Sequence, residues 1–201
     1  MRIRKIYILI VAAALLVACS SEDTENEDQA STIVSYLEGT HDPTLISSSD
    51  LAAQSEIEEN PEFYTRYGNY AYRYIATYYE EGRDTWREIT SGSNIEITLS
   101  IYQFSTSVST SDLPIYTNDP AYKDAYESVG LNTQYWSFTP LSITVGSSEI
   151  FPALQDAFIG CREGDVVEIY TTYLMGYENV VVGLIDKESA MTMFLYIESV
   201  N

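Results

Sequence analysis

The sequence predicts a mixed fold, helical near its start and built of strands from about residue 69 onward. Three patterns carry that expectation. Ile33, Val34 and Leu37 recur at helical spacing. Tyr70, Tyr72, Tyr74, Ala76 and Tyr78 alternate with Arg73 and Thr77, the period of a half-buried strand. Ile95, Ile97, Leu99 and Ile101 alternate with Glu96, Thr98 and Ser100 in the clearest strand of the chain.

The chain opens on a leader. Met1-Arg2-Ile3-Arg4-Lys5 is a positive start, and Ile6 to Leu16 is an apolar run too short to span a bilayer. Leu16-Val17-Ala18-Cys19 resembles the bacterial lipobox, which implies cleavage after residue 18 and acylation of Cys19. No later stretch approaches the ~18 apolar residues of a spanning helix. The expected location is therefore the cell envelope, lipid-anchored to the outer membrane on its periplasmic or its outer face.

Composition fits an exported globular domain. The 201 residues hold 10 Lys+Arg and 30 Asp+Glu, for a net charge of −20. Arg2, Arg4 and Lys5 leave with the leader, so the mature charge is −20 less those three positive charges, or −23. Such a chain repels phosphate backbones, which excludes nucleic acid as a partner. Cys161 is the one cysteine besides Cys19 and reads as a small buried hydrophobe. The single histidine, His41, lies in a Thr-His-Asp-Pro turn and reads as a loop residue. No metal and no cofactor are expected.

Element by element, residues 19–30 are acidic and polar and read as a disordered tether. Acidic residues just after an acylated cysteine resemble signals for surface display; a plain spacer is the alternative. Residues 31–68 read as a helical N-terminal extension. One helix follows Ser31 and stops at Gly39; a second is capped by Ser49 or Asp50 and ends near Pro61. Strands are expected over Asn69 to Tyr79, around Trp86 to Ile89, and over Ile95 to Ile101, with turns at Glu81 to Asp84 and at Ser91 to Asn94. About residues 103–137 form a Ser-, Asp-, Asn- and Tyr-rich flap with one helical turn near Ala121 to Ser128. Ser137 to Val145 returns to strand, and Ile150 to Phe158 is a short helix with Pro152 in its first turn. Val166 to Thr172 and Met191 to Val200 are the last strands.

Leu141-Ser142-Ile143-Thr144-Val145-Gly146 is followed by Glu149-Ile150-Phe151 opening a helix, then the turn Arg162-Glu163-Gly164-Asp165, the strand to Tyr170, Tyr177 and the last strand from Ala190. In that order and spacing, residues 69–201 outside the flap resemble the FKBP-type peptidyl-prolyl isomerases. The resemblance implies an α+β fold, an antiparallel sheet wrapped around one short helix. It also implies a proline pocket: Ile150 and Phe151 at the helix entrance and Tyr177 as the hydroxyl donor, the one catalytic residue carried over. The positions of the family's aromatic floor are Leu154, Leu141, Leu99 and Met193 here, and its acid falls within Ile115-Tyr116-Thr117-Asn118, which has none. Aromatic contacts are worth about 0.5–1.5 kcal/mol each, so several losses remove roughly two to four decades of rate.

Two functions remain open at this stage. One is a membrane-anchored folding factor for proline-containing polypeptides, with weak or lost isomerase activity. The other is a non-catalytic binding or adhesion module that displays the flap, whose tyrosines and small polar residues suit recognition. A hydrolase has little support, because no Gly-x-Ser-x-Gly elbow occurs and His41 is the only histidine.

Overall fold

The computed structural model describes residues 24–54, 59–68, 70–134, 136–147, 155–173 and 188–201. A first helix, α1, covers 24–39. It is followed by β1 (Ile46–Ser47), α2 (Ser48–Ala53), β2 (Phe63–Tyr67) and β3 (Ala71–Ile75). Next come β4 (Asn94–Gln103), β5 (Tyr116–Thr117), α3 (Lys123–Ser128) and β6 (Leu141–Thr144). The chain closes with α4 (Gln155–Phe158), β7 (Val166–Thr171) and β8 (Met191–Val200). Among the described residues, eight strands form one sheet in the order β1-β2-β3-β7-β8-β4-β5, with β6 also paired to β4. Every pairing is antiparallel except β1 with β2, so the antiparallel expectation is corrected to a mixed sheet at that edge.

Alternation decides which side of each central strand faces inward. Ile95, Ile97, Leu99 and Ile101 of β4 meet Met191, Met193, Leu195 and Ile197 of β8 and Val167 and Ile169 of β7 in one core. Ala157 and Phe158 of α4 are buried in the same cluster with Cys161, so the short helix covers this face. Burial raises the Cys161 thiol to about 11, as an inert apolar-site cysteine requires. Arg73 reaches from β3 across this face and its Nη1 donates to the carbonyls of Ala157 and Ile159, both at 2.7 Å. A cation there satisfies carbonyls that the end of a helix leaves unpaired. Below it, Arg83 grips Asp165 through Nε and Nη2, each at 2.7 Å, with Thr77 and the Arg162 N–H completing the carboxylate's shell.

The opposite face is covered at one end by α1. Ile33 and Leu37 of that helix bury against Tyr64, Tyr72, Tyr74, Phe104 and Tyr170. Several expectations fall here. Residues 24–30 are helix, not tether, and Asn26 and Ala30 are buried on the α1 stripe that continues to Ile33 and Leu37. The 31–68 segment is not a separate helical extension, because β1 and β2 extend the main sheet. The β3 strand is shorter than 69–79 and is buried on both faces rather than one. Ser47, not Ser49 or Asp50, caps α2: its Oγ accepts the Asp50 N–H at 3.0 Å, and the helix stops at Ala53. Trp86 to Ile89 makes a single bridge, Glu88 to Arg162, in place of a strand. β6 begins at Leu141, after Pro140, which has no N–H to give a ladder.

Candidate functional site

The residues of β4, β7 and β8 that alternate with the core point to the α1 side of the sheet. Cross-strand pairing sets Val166 beside Tyr196, Tyr196 beside Thr98, and Phe194 beside Ser100. α1 covers the Tyr170 end of this face, where Tyr36 lies 5.6 Å from the Tyr170 ring and 5.5 Å from Phe104. The Val166 end stays open, and Val166 and Tyr196 are each 42% exposed. Over it stands the flap, which contributes Thr110, Asp119 and Tyr122 to the wall of a cleft of about 290 Å³.

Short polar ties hold the flap to the sheet. The Tyr102 and Tyr122 hydroxyls meet at 3.2 Å, and burial followed by this hydrogen bond pushes the Tyr102 phenol upward. Ser100 Oγ and Thr117 Oγ1 lie 2.8 Å apart. Asn118 is buried and replaces a missing stretch of ladder between β6 and β5. Its Oδ1 accepts the Leu99 N–H at 2.7 Å, and its Nδ2 donates to the carbonyls of Ile97 at 2.9 Å and Thr139 at 3.0 Å. The amide that stands where the resemblance places an acid is thus spent on the backbone. Beyond it the flap has its own packing: Trp136 stacks on Tyr126 at 5.8 Å, and its Nε1 donates to Thr117 O at 2.7 Å.

Of the residues expected to form a proline pocket, three are described. Leu99 and Met193 are each 1% exposed within the core, and half-buried Leu141 packs against that core. Ile150, Phe151, Leu154 and Tyr177 lie outside the described residues, as does Cys19.

His41 lies in the loop that follows α1, as its Thr-His-Asp-Pro turn suggests, but its side chain is buried there, 6% exposed, which the turn did not reveal. Its Nε2 lies 2.9 Å from Glu168 Oε2 and its Nδ1 lies 2.6 Å from the Pro43 carbonyl. Tyr170 donates its hydroxyl to the same Glu168 oxygen at 2.5 Å, and the Tyr36 and Tyr74 rings stand edge-on to the imidazole at 5.9 and 5.3 Å. Burial opposes the imidazolium, but the Glu168 hydrogen bond, the Pro43 carbonyl and the charges of Glu168 and Asp42 outweigh it, so the net shift is upward. The signal was Glu168, a carboxylate set among the apolar residues of a predicted central strand, which needs a partner. Among the described residues no three His, Cys, Asp or Glu side chains gather as a metal site.

No family model matches the chain, and no curated protein matches it. Among solved structures, the N-terminal domain of FKBP42 from Arabidopsis thaliana is similar, with a TM-score of 0.47 and 6% identity over 74% of this chain and 97% of that one. Likeness at that level carries no functional argument, which rests instead on the cleft and the core.

Proposed function

We propose that this chain is an exported lipoprotein, anchored through Cys19, whose FKBP-like scaffold serves as a binding module and does not isomerise prolines. One contrast supports the reading. Leu99 and Met193, where the resemblance puts the floor of a proline pocket, are buried in the core, while exposed Tyr196 and half-buried Tyr122 and Phe194 line the flap cleft on the opposite face. An isomerase lowers a barrier of about 18–20 kcal/mol by desolvating and twisting the amide in an accessible apolar slot. Among the described residues, the buried floor positions offer a substrate no such place.

The test is isomerisation of a short X–Pro peptide by the purified mature chain in neutral detergent. The expected rate is the uncatalysed one, unchanged by Tyr177→Phe. Strong acceleration that drops with Tyr177→Phe would make the chain an isomerase and sink the binding-only reading.

A further inference from the structure

The flap cleft has a chemistry that its shape alone does not convey. Among the described residues, four aromatic side chains, Tyr102, Tyr122, Phe194 and Tyr196, line it together with one carboxylate, Asp119, and no lysine or arginine. The Tyr102 and Phe194 rings meet edge to face, 5.7 Å apart at 81°, and so form a corner. Asp119 Oδ1 accepts the Ala121 N–H at 2.8 Å, which fixes the carboxylate at the flap wall. Glu198, exposed on the same sheet face, is bound by Thr98 Oγ1 of the lining at 2.7 Å. Ring faces are electron-rich and attract cations, most strongly where water is excluded. The whole chain, with 30 acidic against 10 basic residues, concentrates cations and repels anions at its surface.

We propose that the cleft receives an arginine side chain from a basic polypeptide segment, its guanidinium stacked on the aromatic walls and paired with Asp119. Charge complementarity selects this occupant: an anion meets no donor charge, and a neutral chain gains nothing from the surrounding field. Arginine suits the corner better than lysine, because its flat, weakly hydrated head stacks on rings while its fork engages a carboxylate. This inference rests on the binding reading above.

The mature chain in neutral detergent is titrated with a capped peptide carrying one arginine, with its citrulline twin, which keeps the shape and loses the charge, and with a neutral N-acetylglucosamine oligomer. The arginine peptide is expected to bind at least about tenfold more tightly than the citrulline peptide. Asp119→Asn, which preserves the oxygen that accepts the Ala121 N–H, and Tyr196→Leu, at an exposed position, should each weaken binding about three- to tenfold. Glu81→Gln, at an exposed position that does not line the cleft, should change it less than about twofold. Equal binding of both peptides, still weakened by the cleft variants, overturns the cation proposal but keeps the cleft as a binding site. Binding of the sugar alone has the same meaning. An effect of Glu81→Gln as large as that of Asp119→Asn reduces the attraction to a diffuse field and overturns the site. Failure of every probe to bind overturns the proposal; if Tyr177 then proves catalytic in the isomerase assay, the binding reading falls with it.

Discussion

His41 is held between two acceptors, a carbonyl at Nδ1 and a carboxylate at Nε2, and only the imidazolium has a proton for both. The groups facing it are Glu168 and Tyr170 from β7, Tyr36 from α1 and Tyr74 from β3, with Asp42 its chain neighbour. Its folded-state pKa lies above the ordinary 6.5, so the proton-linked stability is fully present below about 6.5 and is lost as pH rises through the folded value. Urea unfolding of the mature chain should therefore show a difference between wild type and His41→Gln of about 1–3 kcal/mol near pH 5.5, shrinking near pH 8.5. A difference that is flat or grows with pH would mean that the ring is neutral in the fold.

Among the elements, β4 and β8 were readable because apolar residues alternate along the face of each that points at one core, although the other face, polar in most of β4, carries Phe194 and Tyr196 in β8. The strands at the β1 edge were not, since β1 has two residues and Phe63–Tyr67 carries no clear alternation of polarity. The early start of α1 was hidden by composition. Its buried stripe begins with polar Asn26, while exposed Glu25, Glu27 and Asp28 read as tether although acids favour a helix N-terminus. The flap was legible as a polar, tyrosine-rich insert, but the cleft was not. It joins β4 side chains that look like a solvent face to Asp119 and Tyr122, which only the β5 pairing and Asn118 bring alongside. Asn118→Ala removes one acceptor and two donor contacts from buried backbone groups and should destabilise the chain by about 2–4 kcal/mol. It should also weaken binding in the cleft without altering any side chain of its lining. Unchanged stability to urea would show that the sheet edge closes without the amide.

At the scale of the whole molecule, the proposed anchor and the folded body are close. Four residues separate Cys19 from the start of α1 at 24, and an extended chain covers about 3.3–3.6 Å per residue, so the helix begins within roughly 18 Å of an acylated Cys19. Membrane attachment and helix therefore share one short stretch, and a test of sorting must not confuse them. Glu25, Glu27 and Asp28 lie in the first turns of α1, where each acid is worth about 0.3–1 kcal/mol against the helix dipole, so replacing the entire acidic run would also loosen the fold. Glu22 and Asp23 lie before residue 24, outside the described residues, and are the pair to change. Cys19→Ser should abolish fatty-acid labelling and release the protein from membranes. Glu22→Ala with Asp23→Ala should leave labelling and urea stability intact while hiding the protein from protease added outside the cell. Detergent-phase partitioning that survives Cys19→Ser would place the anchor elsewhere. Surface exposure that survives the paired substitution would make those two acids a spacer, leaving the short reach to α1 as the feature that sets where the cleft stands above the bilayer.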